Sequence, residues 1–303
     1  MDRATLAVAA EVVEALSDGA PVVALESTLF AHGLPRPRNV EVARELEALL
    51  RAGGVMPATV GVVGGTPVVG LSAAEIELLG GDRVAKLSTR DLPLAAARGA
   101  HGATTVAATA WLASRAGVRI FATGGLGGVH RGASETFDES ADLPALAHTP
   151  VTVVCAGVKS ILDVGATLER LETLGVSVAG YRTDRFPGFF VADSGFPVNW
   201  TLEGPDEVAT AMRVRDELGI ISALVVANPV PEGEQLDPAW HDRLLAEALD
   251  AAAGRGVHGQ AVTPFLLDHM QQASGGASLE ANVAAVRNNV LVAAAIARAS
   301  ATR

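Results

Sequence analysis

"VTVVCAGVKSILD", residues 151–163, is the stretch on which the fold turns. Val151 to Cys155 form a strand-like run with almost no polar interruption. A run apolar on both sides of its pleat belongs to a strand covered on both faces, as in parallel sheets flanked by helices. Ala156 and Gly157 then make a short turn. Lys159 appears where the strand gives way to a helical pattern over 160–174.

The same rhythm extends in both directions. Strands are expected at 22–25, 59–63, 118–123, 176–180 and 223–227, with helices at 38–52, 101–116, 206–218, 239–254 and 279–299. Continuous apolar strands separated by helical segments predict an α/β chain: a three-layer α/β/α core around a mostly parallel sheet. No repeat or low-complexity linker divides the sequence, so residues 1–303 read as one domain. One segment breaks the rhythm. Residues 181–200 hold six of the twelve aromatic residues, Tyr181, Phe186, Phe189, Phe190, Phe196 and Trp200, among prolines and glycines. They read either as a cluster packed under a long loop or as a lid or subunit contact within 181–206.

Composition removes several function classes. Hydrophobic residues make up 49% and charged residues 19%, the balance of a compact globular protein. The formal charge of −11 opposes binding to a nucleic acid polymer or an anionic membrane, yet leaves room for one small phosphorylated ligand. A single cysteine provides neither a disulfide framework nor a Cys-based zinc site. No run of eighteen apolar residues occurs, and residues 1–19 lack the apolar core of a signal peptide. A cytoplasmic location is expected.

Ligands of open α/β sheets bind at the carboxyl ends of strands, so polar residues there are the first candidates. Glu26 follows the strand 22–25; its ordinary use would be an ion pair or a cap. Thr123 opens TGGLGGVHRG, 123–132, whose glycines would let backbone N–H groups face an anion, with Thr123, His130 and Arg131 adding donors. A tight turn without ligand is the plain alternative. The loop is not a dinucleotide fingerprint, because the third glycine position is His130. In FDESAD, 137–142, a helical turn would set Asp138 and Asp142 on one face, where two carboxylates and waters suit Mg²⁺ or Mn²⁺; capping by Ser140 or Asp138 competes.

Lysine is the scarce residue. Only Lys86 and Lys159 occur, against 21 arginines. A chain so biased toward arginine retains lysine for chemistry that only an amine performs. Desolvation at a strand end favours a neutral amine, which attacks a carbonyl to give a Schiff base; a lysine that reaches solvent or a salt bridge is the bland reading. Cys155 reads as a small packed hydrophobe. Near the carboxyl end, Leu279, Asn282, Val286, Asn289 and Ala293 share one helical stripe. Two asparagines on an apolar face need partners, from another helix or from a ligand amide.

These residues together resemble the pseudouridine-5′-phosphate glycosidase family, which includes indigoidine synthase A-like proteins. The matching stretches include VVALESTLFAHGLP (22–35), KLSTRDLP (86–93), FATGGLGGVHRGASETFDESADL (121–143), VVCAGVKSILD (153–163) and SLEANVAAVRNN (278–289). They span nearly the whole chain. The resemblance implies reversible cleavage of the C–C glycosidic bond of pseudouridine 5′-phosphate to uracil and ribose 5-phosphate. It implies that Lys159 forms an imine at C1′ of the opened ribose and that Glu26 delivers a proton to the departing uracil carbon. Lys86, Val106, Ser140, Ala141 and Asp142 would contact the substrate, Val106 through its backbone. Asn282 would hold the base, and Thr123 and His130 the phosphate or sugar. Asp138 would ligate Mn²⁺, with Mg²⁺ an alternative, and the family's assembly is a homotrimer. Two rivals remain: a C-glycosyl synthase joining ribose 5-phosphate to a non-uracil acceptor, and a non-catalytic sugar-phosphate binder. The second is disfavoured by the joint presence of Glu26, Lys86, Asp138 and Lys159.

Overall fold

The computed structural model describes residues 6–82, 84–257 and 262–301. Among them one sheet collects eleven strands: β1 Ala7–Val8, β2 Val22–Glu26, β3 Met56–Val63, β4 Thr66–Val69, β5 Ala85–Leu87, β6 Gly102–Thr104, β7 Ile120–Ala122, β8 Thr152–Cys155, β9 Ser177–Tyr181, β10 Thr201–Leu202 and β11 Leu224–Ala227. The main path runs β1-β4-β3-β2-β7-β8-β11-β9-β10, with β6 joined to β3 and β5 to β6. Only the β3–β4 and β3–β6 pairs are antiparallel. The helices are α1 Ala10–Ser17, α2 Thr28–Gly33, α3 Arg38–Ala52, α4 Ala73–Leu79, α5 Leu92–Arg98, α6 Val106–Arg115, α7 Ala133–Thr136, α8 Asp142–Ala147, α9 Val164–Thr173, α10 Pro205–Glu217, α11 Pro238–Gly254, α12 Val262–Ala273 and α13 Ala277–Ala301.

All six expected strands are present, and the sheet is mostly parallel with helices on both faces. Alternation along the strands divides the core in two. Val22 and Ala24 of β2, Phe121 of β7 and Val153 of β8 face α1, α6, α8, α9 and α11. Val23, Leu25, Ile120, Ala122 and Val154 face α3, α10 and α13, where Leu46, Leu50, Met212 and Val290 meet them. Each of these side chains other than the alanines contributes roughly 1.5–3 kcal/mol on burial. The apolar run that read as a two-sided strand at 151–155 is fully buried across Thr152–Cys155.

The β3–β4 hairpin lies outside the sequence expectations. Gly64 and Gly65, at φ 57° and 82°, form a two-residue turn between Val63 and Thr66. Two successive positive φ values are what a type I′ turn demands, and glycine meets that demand without steric strain. The aromatic segment divides. Phe186, Phe189 and Phe190 are core residues, whereas Phe196 and Trp200 stay exposed. Phe196 leans on Gly165 at the start of α9. The segment is also bracketed by regular structure, since Tyr181 ends β9, β10 pairs with β9 at 201–202, and α10 begins at Pro205. No helix among the described residues is long and apolar enough to cross a membrane.

Asn289 fastens α13 to the sheet. It is fully buried; its amide nitrogen donates to the carbonyl of Thr123 at 2.8 Å, and its Oδ1 accepts from Asn228 Nδ2 at 2.9 Å. One side chain thus ties the carboxyl ends of β7 and β11 to the last helix. Asn289→Ala leaves the Asn228 amide without its acceptor, and urea unfolding should read a loss of about 1–3 kcal/mol. An unchanged midpoint would show that the tie is not structural.

Candidate active site

Glu26 is the last residue of β2, buried to 6% exposure. In the neighbouring strand order, β7 ends at Ala122, and Thr123 Oγ1 donates to Glu26 Oε1 at 2.5 Å. Thr123 is fully buried beneath the carboxyl group; its hydroxyl faces Glu26. Ser27 and Thr104 secure the other flank. The Thr104 amide donates to Ser27 Oγ at 2.8 Å and the Thr104 hydroxyl to the Val60 carbonyl at 2.8 Å, which holds the end of β6 against β2 and β3. Lys86, from the middle of β5, comes in beside them.

Lys159 extends the parallel pairing of β7 and β8 beyond their formal ends. Leu126 bridges Val158, the Lys159 amide donates to the Leu126 carbonyl at 3.1 Å, and the Lys159 carbonyl accepts from Leu162 at 3.0 Å. Both backbone groups are fixed, and α9 starts only at Val164, capped by Asp163. The side chain is half-buried, not enclosed, and lines the cleft. Neither lysine side chain makes an ion pair or hydrogen bond among the described residues, so the salt-bridge reading is not realised.

The cleft has two lobes that meet at Glu26, Thr28, Lys86, Lys159 and Thr263. The outer lobe, with a cavity volume of about 340 Å³, falls in the size range of small-ligand sites, about 300–1,000 Å³. Its walls include Val106, His130, Asp138, Ser140, Ala141 and Asp142. The inner lobe is narrower and more apolar, lined by Leu29, His32, Gly124, Gly125, Phe189 and Asn282. Of the residues that the resemblance implies, only Thr123 is missing from the lining of both lobes.

Burial pushes the Glu26 carboxyl above its ordinary range, and Asp142 adds to the effect; Lys159, the Thr123 hydroxyl and Lys86 oppose it. The Lys86 amine is drawn down, first by the crowding of the cleft walls and then by Lys159, against Asp142 and Glu26. Lys86 keeps a good part of its surface accessible, so the crowding is that of a cleft mouth and not of a core. Cys155, fully buried, has its thiol pushed up to about 12 by burial and serves as packing.

One expectation needs correction, and a second narrows. Asp138 and Asp142 do not share a helical face: α7 ends at Thr136, α8 begins at Asp142, and Asp138 sits in the link between them. The two carboxylates do different things. Asp142 is buried and clamped, its Oδ1 accepting from the Ala107 amide at 2.9 Å and its Oδ2 from the Gly127 amide at 2.8 Å. It neutralises the amino end of α6 and anchors the glycine loop. Most of the loop from Leu126 to His130 is therefore closed to an external anion, while Gly124 and Gly125 line the inner lobe. The Gly127 N–H is committed to Asp142, the Leu126 N–H to Gly157 and the Val129 N–H to Thr167. Glycine is required at 127 for space, since a Cβ there would lie 2.6 Å from Asp142 Oδ2 and closer still to Ser140 Oγ.

The asparagine stripe also divides. Asn289 spends its amide on the protein, whereas Asn282, buried to 7% exposure, lines the inner lobe with an Oδ1 that has no partner. Sequence reasoning passed over Thr28, His32 and Phe189. Thr28 and His32 lie on α2, a helix too short to show a period, and Phe189 lies in irregular backbone at φ 69°.

Among the described residues no three His, Cys, Asp or Glu side chains form a metal cage. Asp138 is the outer lobe's exposed carboxylate without an arginine beside it, where Asp91 has Arg90 and Glu139 has Arg170; it is 38% exposed, with His130 Nδ1 at 3.9 Å. One carboxylate facing a roomy polar cavity fits a hard cation that keeps most of its waters, as Mg²⁺ and Mn²⁺ do, and not the six to eight oxygens of Ca²⁺.

The Glu26 carboxyl binds its proton more tightly in the folded than in the unfolded chain. Its contribution to stability is therefore complete below the ordinary glutamate range and is lost as pH rises through the folded value. Glu26→Gln should gain stability relative to the wild type as pH rises above the ordinary glutamate range. Urea unfolding over that rise would measure it, and a difference independent of pH would contradict a raised carboxyl.

The model of the indigoidine synthase A like protein family matches residues 11–299. The pseudouridine-5′-phosphate glycosidase of Streptomyces griseus is 63% identical over 294 residues, covering 96% of this chain and 91% of its own. That of Saccharopolyspora erythraea is 60% identical, covering 97% of each. Among solved structures, the prealnumycin C-glycosynthase AlnA in complex with ribulose 5-phosphate superposes with a TM-score of 0.90 at 38% identity, over 98% of this chain and 97% of that one. An indigoidine synthase A-like protein from Thermotoga maritima gives 0.88 at 36%, with the same coverage. The chain belongs to the indigoidine synthase A-like family, the family of the pseudouridine-5′-phosphate glycosidases.

Proposed function

We propose that this protein cleaves pseudouridine 5′-phosphate reversibly to uracil and ribose 5-phosphate. The observation that carries the reading is one cleft in which a buried, proton-retaining Glu26 lies with two unpaired lysines between a polar outer lobe and a narrow, more apolar inner lobe. The outer lobe suits a sugar phosphate and the inner lobe a planar base.

The leaving atom is carbon, which departs poorly unless electrons are pushed toward it and a proton meets it. The Lys159 amine attacks C1′, the C1′–O4′ bond breaks, and the amine proton passes to O4′. The nitrogen lone pair then forms the C=N bond of a protonated imine. The C1′–C5 bond breaks, and uracil C5 takes the proton of Glu26. Water hydrolyses the imine, freeing ribose 5-phosphate and the amine, and the released proton returns to Glu26. Run backwards, the imine is the electron sink for uracil C5. Thr123 fixes the Glu26 carboxyl, and Lys86 adds positive charge beside the sugar. The walls at Val106, Ser140 and Ala141 confine the sugar phosphate, with Asp142 shaping them from behind. Asp138 would hold a hydrated Mn²⁺, which would supply positive charge to the sugar phosphate through its waters. A homotrimeric assembly belongs to the same reading and is open to test by sedimentation.

The similarity to the prealnumycin C-glycosynthase supports a second reading, synthesis of a C-glycoside from a sugar phosphate and another acceptor. Incubation with ribose 5-phosphate and uracil, followed by mass spectrometry for a C-linked product, separates the two.

Borohydride in the presence of ribose 5-phosphate should fix a sugar adduct on Lys159, located by peptide mapping. Lys159→Ala should lose adduct and more than about 10³-fold of turnover while keeping its unfolding curve. Wild-type-like turnover in that variant would overturn the imine. Chelation should lower activity and Mn²⁺ restore it better than Ca²⁺; full activity of metal-stripped enzyme would remove Asp138 from the role.

A further inference from the structure

His32 lies near the end of α2 and lines both the inner lobe and the recess behind it, where Pro264, Leu267 and Asn282 continue the wall. Its Nε2 is 3.0 Å from the carbonyl oxygen of Val84. A carbonyl only accepts, so Nε2 carries the hydrogen. The imidazole is drawn below its ordinary range, first by the cleft walls that crowd it and, against the Val84 bond, by the positive charge of Lys86, which favours the neutral ring although the residue keeps more than a third of its surface accessible. Nδ1 is then a bare acceptor, and it has no hydrogen-bond partner among the described residues. Across the same lobe stands Asn282, with its unpartnered Oδ1 and an amide donor. Gly124 leaves room for that oxygen, since a Cβ there would lie 3.1 Å from it.

The lobe therefore offers the His32 acceptor on one side and the donor and acceptor of Asn282 on the other. A uracil joined to ribose through C5 presents at its far edge N1–H, C2=O and N3–H, which is donor, acceptor and donor. A uracil joined through N1 presents N3–H, C4=O and C5–H, and one acceptor of the lobe goes unpaired. A buried polar group left without its partner is a strong basis for rejection.

Resting on the glycosidase reading, we infer that His32 is a specificity-determining residue whose Nδ1 accepts one of the two ring N–H groups of a C-linked uracil, Asn282 taking the other. The C-glycoside is then distinguished from its N-linked isomer by hydrogen-bond pattern and not by shape.

The test is kcat/KM for pseudouridine 5′-phosphate and for its N1-methyl and N3-methyl derivatives, in the wild type, His32→Ala and His32→Gln. Borohydride trapping of ribose 5-phosphate on Lys159 is measured alongside. The wild type should reject both methylated substrates by about 100-fold or more. His32→Ala, which makes room for a methyl group, should lose most of the rejection of one derivative while keeping that of the other. It should raise KM for the parent and trap ribose 5-phosphate at the wild-type rate. His32→Gln, which retains an acceptor, should recover part of the discrimination. Equal rejection of both derivatives by His32→Ala and the wild type overturns the assignment, as does wild-type turnover of both. If the wild type does not cleave the parent nucleotide, the glycosidase reading fails and the role of His32 falls with it.

Discussion

A carboxyl group enclosed at the end of a parallel strand must be paired, hydrogen-bonded or protonated, because an isolated buried charge is very costly. Glu26 is such a group, and the architecture around it answers that demand. Thr123 donates to it from the adjoining strand, two amines stand in the same cleft without closing an ion pair, and the carboxyl retains its proton more firmly than an exposed one. The parallel order β2-β7-β8 makes this meeting possible, since it brings the carboxyl ends of three strands to one edge.

The supports are polar and their hydrogen bonds are largely used up within the protein. Asp142 gives both oxygens to backbone amides, Asn289 joins two strand ends to α13, and Thr104 links β6 to β3. These networks hold the cleft rigid, so that the few polar atoms left over stand out. Asn282 Oδ1 is one of them, on a residue that lines the inner lobe. A buried group without a partner in the protein is unfavourable unless something else supplies one.

Residues far apart in sequence share this site, whose members run from Glu26 to Asn282. That spread explains which parts were legible in the chain. Lys159 and Glu26 directly follow buried strands, and the rarity of lysine singled out Lys86. The FDESAD stretch misled because residue spacing implies a shared face only inside a helix, and the helix begins at Asp142. TGGLGGVHRG looked like an anion cradle, yet Gly127 provides close approach and the Leu126, Gly127, Val129 and His130 amides are spent within the protein.

The sequence by itself determined the α/β class, the six central strands, the two-faced burial of 151–155 and the candidate amines and carboxyls, because these follow from local periodicity and from which residues terminate an apolar run. Only the tertiary structure decided that Thr123 stands behind Glu26, that Asp142 is a clamp, that Asn282 and Asn289 have opposite fates, and that His32 lines the inner lobe. Those assignments depend on which hydrogen-bond donors and acceptors from distant segments meet in space, and no local pattern of residues carries that information.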